Sequence, residues 1–204
     1  MGWDGFLKIG GLAGWASFFW LVTKDLIRVV LKPRLVISSL EREKDIRTWN
    51  AVGPDAEFGW PRRGASLLIR NKKKKTAIRC VAKLRIISSP KNVNILEREF
   101  NLHWADVPYS LRTSGAEPID IGMEGRRLDV VFTHAKQEPE KIPGCWVATP
   151  LALSLPTQNQ FYLPPGDYQV ELSIECENGR GQRKRYLIRS PEKWDMLSME
   201  EISD

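Results

Sequence analysis

Cysteine and histidine are scarce in these 204 residues, with three of the first and two of the second. Cys80, Cys145 and Cys176 show no C-x-x-C spacing, and an odd, low count does not build a disulfide scaffold. Cys80 and Cys176 both fall inside expected strands, which leaves one inter-strand bridge open. Small, buried, unpaired core residues are the expectation for them. His103 and His134 lack an H-E-x-x-H or cysteine-rich surround, so neither a zinc site nor any other metal or cofactor is expected. G-x-S-x-G, a phosphate-cradling glycine loop and an N-x-[ST] sequon are all missing.

The remaining catalytic patterns are sparse. Cys145 stands in a Pro143-Gly144-Cys145-Trp146 turn, with His134 as the one base in reach of such a scheme. Neither has the local signature of a nucleophile or its partner. Glu97 and Glu99 are expected on a solvated strand edge, and His103-Trp104-Ala105-Asp106 with Tyr109 reads as ordinary strand and turn. Trp104 and Trp146 are expected in a sandwich core. The expectation is a protein without enzyme activity.

Strong charge of one sign is also missing from most of the chain. The formal charge is +6, but residues 1–37 carry five basic and two acidic side chains, leaving 26 basic against 23 acidic beyond them. A nucleic-acid surface calls for a larger and more clustered excess. The hydrophobic fraction of 42% and charged fraction of 27% suit one globular domain behind a short leader segment.

That leader is the most distinctive stretch. Residues 9–23 are 15 uncharged, largely apolar positions, bounded by Lys8 before and by Lys24, Arg28, Lys32 and Arg34 after. Crossing a bilayer takes about 20 apolar residues. Phe6, Leu7, Leu26 and Ile27 extend the run, and Lys8 can snorkel. Trp3, Trp15 and Trp20, with Phe18 and Phe19, suit a membrane anchor, and Pro33 stops the helix. A cleaved signal peptide fits poorly, because the stronger positive cluster follows the apolar run. Residues 1–33 are read as a single-pass transmembrane anchor in contact with lipid. A helix lying in the interface, with Lys24, Arg28 and Lys32 at i, i+4, i+8, is the alternative. A buried helix of a larger complex also stays open. Flanking charge leans the globular part toward the cytoplasm.

From residue 34 to 190 the pattern changes to period two, the mark of half-buried strands. Residues 35–40, 65–71, 76–88, 100–105, 118–121, 127–134, 146–148, 168–176 and 183–189 are the expected strands. In the clearest, Ile78, Cys80, Ala82, Leu84 and Ile86 share one face, with Arg79, Lys83 and Arg85 opposite. Strands 65–71 and 76–88 are expected to pair through the turn at 72–75. Short strands separated by Pro/Gly turns, with no amphipathic helix among them, predict an all-β antiparallel sandwich. Residues 191–204 form an acidic tail, expected as a short helix or a frayed end.

Leu68-x-x-Asn71 followed by Ala77, and Leu163-Pro164-Pro165-Gly166-Asp167-Tyr168-x-Val170 before the last hairpin, resemble bacterial and archaeal immunoglobulin-like domains of the CARDB type. There an Asn in a V-x-N-x-G segment opens the first hairpin, and P-G-x-Y-x-V opens the second-last strand. Pro118-Ile119-Asp120-Ile121-Gly122 is similar to the mid-domain I-x-I-x-x-G turn of that family. The resemblance covers residues 65–189 and departs at Lys73, where a turn glycine is expected. It implies an immunoglobulin-like β-sandwich used in adhesion, spacing or assembly, without catalytic residues. Members are often extracellular, which opposes the orientation read from charge.

Two basic clusters and one aromatic loop are the candidate contact surfaces. Lys72, Lys73, Lys74 and Lys75 are four consecutive lysines, and Arg180, Arg183, Lys184 and Arg185 follow the Asn178-Gly179 turn. Contact with anionic lipid or nucleic acid is the functional reading, solvated turn charge the bland one. An immunoglobulin-like topology is expected to set the two clusters at opposite ends, the later one toward the anchor. Residues 43–64 read as a long connection carrying Trp49, Phe58 and Trp60, suited to a protein partner, a sugar face, or capping of the sandwich. The leading expectation is a non-enzymatic, membrane-anchored module that scaffolds an unidentified protein partner. A carbohydrate or envelope-polymer module using residues 49–61, and an anionic-lipid or nucleic-acid binder using the basic turns, are the alternatives.

Overall fold

A computed structural model describes residues 17, 19–24, 26, 27, 32–38, 46–50, 61–91, 93, 98–105, 107, 118–134, 143–150 and 159–202. The chain divides into two compact units, Met1–Lys32 and Pro33–Asp204. In the first, residues 17, 19–24, 26 and 27 are helical. Phe19, Trp20, Leu21, Val22, Leu26 and Ile27 are all exposed, Trp20 to 71%. Among the described residues no helix is long and apolar enough to cross a membrane. Most of the expected span lies outside the described residues, including Trp3, Phe6, Trp15, Phe18 and Arg28.

The second unit is built on the alternation seen in the sequence. β4 (Ala77–Ser88) and β10 (Gly166–Glu175) pair antiparallel at the centre of one sheet. Their inward residues Cys80, Ala82, Leu84 and Ile86 meet Tyr168, Val170, Leu172 and Ile174. That sheet runs β12 (Ser198–Ile202), β11 (Gln182–Ser190), β10, β4, β5 (Glu99–Asn101), with β6 (Ile119–Ile121) also on β4. The other sheet runs β1 (Leu35–Ile37), β3 (Pro61–Asn71), β7 (Arg126–His134), β8 (Cys145–Val147), β9 (Tyr162–Leu163), with β2 (Ile46–Asn50) also on β3. Every pairing among these strands is antiparallel. The inner faces enclose one core in which Leu67, Ile69, Leu84, Trp104, Leu172 and Tyr186 are buried. The chain is an antiparallel two-sheet β-sandwich after residue 33.

Three expectations change. The turn at 72–75 does not join a hairpin: β3 and β4 belong to opposite sheets, and the turn carries the chain across the core. Ile78 is 41% exposed rather than inward. A bulge between Ala77 and Cys80, with Arg79 at φ 50°, shifts the register so that Ala77 takes the inward place. The acidic tail holds a short helix, as one of the two expectations had it, but over its described part it does not fray and goes on into an unexpected strand. After one 3-10 turn (Trp194–Met196) it adds β12 to the sheet edge, where Glu200 and Glu201 meet Arg189 and Lys184 at 2.6 and 2.7 Å.

β2 and the start of β3 lie within the stretch expected as a connection. Trp49 sits in β2, in register with Arg62. Phe58 and Trp60 lie outside the described residues.

Candidate functional site

One end of the sandwich gathers four chain segments. Asn71, buried at the end of β3, organises them. Its Oδ1 accepts from the Arg34 amide at 3.1 Å and the Lys73 amide at 3.0 Å. Its Nδ2 donates to the Lys75 carbonyl at 2.7 Å and the Ile121 carbonyl at 3.4 Å. The Lys72 amide closes the set on the Arg34 carbonyl at 2.9 Å. One side chain thus ties β1, the 72–75 turn and β6 together, the work a buried amide with both donors and acceptors can do.

The turn after β10 joins the same end. The Arg180 amide donates to the Pro33 carbonyl at 3.3 Å, and Arg34 bridges Arg180. Asn178 clamps the start of β4, its Oδ1 accepting from the Ile78 amide and its Nδ2 donating to the Thr76 carbonyl, both at 2.9 Å. The fourth segment is the turn 122–125. Gly125 at φ 80° is required there, since a Cβ would stand 2.6 Å from the Ile69 carbonyl oxygen.

The first residue of the second basic cluster, Arg180, therefore meets the first cluster, so the two turns lie at one end of the sandwich and not at opposite ends. In this topology the β3–β4 and β10–β11 turns both abut the segment that enters at Pro33. Lys72, Lys74, Lys75, Arg34 and Arg180 are exposed there, and none makes a side-chain ion pair among the described residues. Arg183, Lys184 and Arg185 instead run along β11 away from the end, opposite Ser173, Leu172 and Glu171. Lys184 is paired with Glu201.

Elsewhere on the β4 sheet positive charge is matched. Arg79 meets Glu177 at 2.8 Å, Lys83 meets Glu99 at 3.1 Å, and Arg85 meets Glu171 at 2.9 Å. The Asp120 carboxylate at this end accepts from the Arg79 amide at 2.9 Å. Glu124 is the other carboxylate on the turn 122–125. Two apolar side chains stand among the cations: Ile78, and Met123 at 58% exposure. Sequence patterning gave no sign of these two, because Ile78 alternates as an inward residue and Met123 lies in a turn.

Among the described residues, Arg79 is the one non-glycine with positive φ, so the backbone at Lys73 is ordinary. The turn needs no glycine where the sequence departs from the family pattern.

No family model matches this chain, and no curated protein matches it.

The other candidate residues separate. Cys145 faces the main core on β8, whereas His134 lies on the outer face of β7 with Phe132 and Trp146. The two cannot form a nucleophile–base dyad. Burial pushes the Cys145 thiol up to about 12. Burial, and then the Arg62 charge, pulls His134 down to about 3, so it stays a neutral ring.

That outer face carries a second cluster which the sequence reading missed. Across β7, β8 and β9, Phe132 stacks on Trp146 at a centroid separation of 6.1 Å, and Tyr162 packs tilted against Trp146 at 5.2 Å. The His134 ring stands edge-on to Phe132 at 5.2 Å and Trp146 at 5.4 Å. The Arg62 guanidinium lies 5.4 Å from the Phe132 centroid and is fully buried. Trp104 joins the main core as expected, but Trp146 belongs to this outer cluster. Among the described residues no group of histidine, cysteine and carboxylate side chains is arranged to hold a metal.

Proposed function

We propose that this chain is a non-catalytic membrane module. Its N-terminal helix associates with lipid, and an immunoglobulin-like sandwich rests its basic end on anionic headgroups, leaving its sheet faces for a protein partner. The observation that carries the reading is the meeting of Lys72, Lys74, Lys75, Arg34 and Arg180, without ion-pair partners among the described residues, at the end where Pro33 begins the sandwich. Each basic residue near an anionic leaflet contributes about 1 kcal/mol. The exposed apolar run Phe19, Trp20, Leu21 and Val22 on the helix supports lipid as its neighbour. Ile78 and Met123 among the cations favour a lipid interface over nucleic acid, because apolar tips gain from the acyl boundary and lose nothing to phosphate. A cytoplasmic position, where the leaflet is anionic, follows from this reading and from the flanking charge.

The immunoglobulin-like assignment has its own support. β1-β3-β7 and β4-β10-β11 have the neighbour order of strands A-B-E and C-F-G. The Tyr168 hydroxyl donates to the Pro164 carbonyl at 2.9 Å, the tyrosine-corner bond at the start of strand F. Gly166, at φ 142° with Pro90 Cγ 2.5 Å from where a Cβ would stand, accounts for the glycine of the P-G-x-Y segment. These features support an immunoglobulin-like reading of the sandwich. One departure is that β8, beside β7, follows it in the chain, whereas strand D precedes strand E.

The test is vesicle co-sedimentation of residues 33–204, a compact unit with its own core. Binding is expected to phosphatidylserine vesicles and not to phosphatidylcholine alone. Replacing Lys72, Lys73, Lys74, Lys75 and Arg180 by Gln is expected to weaken it about tenfold or more. Equal binding to both vesicles, or an unchanged variant, defeats the reading. Salt-steep binding to duplex nucleic acid without vesicle binding transfers the end to a different partner.

A further inference from the structure

We propose that Cys80 and Cys176 are a cross-strand thiol pair positioned to close into a disulfide by exchange with a low-molecular-weight disulfide. The inference is independent of the lipid reading. The β4–β10 register runs Leu172↔Leu84, Ser173↔Lys83, Ile174↔Ala82, Glu175↔Val81, so the next rung sets Cys176 opposite Cys80. Directly opposed residues of antiparallel strands have Cα atoms about 4.5–5.5 Å apart. That spacing lies inside the range a disulfide spans, about 4.4–6.8 Å.

Both thiols are free, and Cys176 packs against the core cluster that contains Cys80. The rung is held on both sides. The Glu177 amide donates to the Ile78 carbonyl at 3.1 Å, and the Asn178 side chain clamps residues 76 and 78. The chain at Gly179 lies close as well, since a Cβ there would stand 2.9 Å from the Cys176 sulfur.

Access is asymmetric. Cys80 is buried in the core, and burial pushes its thiol up to about 12. Cys176 is half-buried, one residue beyond the end of β10. Cys176 is accordingly the thiol that meets the oxidant. It loses its proton, attacks one sulfur of the external disulfide and expels a thiolate, which takes up that proton. Cys80, on losing its proton, attacks the Cys176 sulfur of the mixed disulfide and expels the second thiolate, which is protonated in turn. Two protein thiols are oxidised to one disulfide, and one external disulfide is reduced to two thiols. The bond would staple the two central strands of the β4 sheet directly beneath the basic end. Cys145, buried on β8 in the other sheet, serves as an internal control.

The experiment exposes the full chain in mild detergent to oxidised glutathione, then alkylates free thiols and maps the peptides by mass spectrometry. The expected product links the peptides of Cys80 and Cys176 and leaves Cys145 alone to be alkylated after unfolding. Closing so long a loop is expected to raise Tm by about 5–15 °C over the dithiol form. Cys145→Ser should keep the link and Cys176→Ser should abolish it. A glutathione adduct that persists on Cys176 with Cys80 free, or a link that forms only in denaturant, overturns the proposal. An oxidised form with a lower Tm than the dithiol form overturns it as well, because the pair would then not be prepositioned.

Discussion

Replacing Asn71 by Ala tests how the basic end is assembled. The substitution removes four hydrogen bonds: two accepted from the Arg34 and Lys73 amides, two donated to the Lys75 and Ile121 carbonyls. The Ile121 contact at 3.4 Å is long and contributes least. The other three join exposed segments whose backbone groups regain water when the amide is gone, so each is worth about its net value of 1 kcal/mol. The expected destabilisation is about 2–3 kcal/mol. For a domain of this size that lowers Tm by about 5–10 °C.

The assay is thermal unfolding of residues 33–204 followed by circular dichroism, paired with amide hydrogen exchange. The Arg34 and Lys73 amides should lose protection while those of the β10–β11 ladder keep it. Asn71→Asp retains both acceptor roles but turns carboxylate oxygen toward two carbonyl oxygens, so it should be at least as damaging at neutral pH. A drop in Tm below about 2 °C for Asn71→Ala, or a wild-type Tm for Asn71→Asp, refutes the reasoning.

His134 gives a pH signature. Its folded pKa, near 3, is below the unfolded value of 6.5, so the unfolded chain takes up a proton the folded protein refuses. Its contribution is complete above pH 6.5 and is lost as pH falls toward 3, at about 1.4 kcal/mol per pH unit. His134→Gln should remove that slope in urea unfolding measured between neutral pH and pH 4, and parallel profiles for the two proteins count against it. Tyr168→Phe deletes the hydroxyl bond to Pro164 alone and should cost about 1 kcal/mol, or about 2–4 °C in Tm. An unchanged Tm means the corner bond adds nothing to the sandwich.

Much of the sandwich was legible because alternation reports which face of a strand is apolar. Cys80, Ala82, Leu84 and Ile86 on β4, and Tyr168, Val170, Leu172 and Ile174 on β10, are buried as their spacing demands. β2, β9 and β12 were not legible. Each is short and becomes a strand through its partner: β12 by ion pairs to β11, β9 by its two-residue pairing with β8. The inward reading of Ile78 failed because a bulge shifts the register by one place, which no period-two count can detect. The outer aromatic cluster was hidden for a related reason. Arg62 reads as part of a loop, and only the β3–β7 register sets it opposite His134 and beside Phe132.

By itself the sequence determined the class of fold, the inward faces of the long strands and the apolar, basic-flanked character of the first thirty-odd residues. These are local properties, set by side-chain period and composition. The tertiary structure decided that residues 72–75 cross between sheets rather than close a hairpin, that they meet Arg180 beside Pro33, and that β4 pairs with β10 up to the rung of Val81 and Glu175. These contacts, and the register that ends at Glu175 and Val81 one place before Cys176 and Cys80, join segments far apart in the chain. They depend on which strands pair and in what register, a choice made by packing the whole core and not by any one segment.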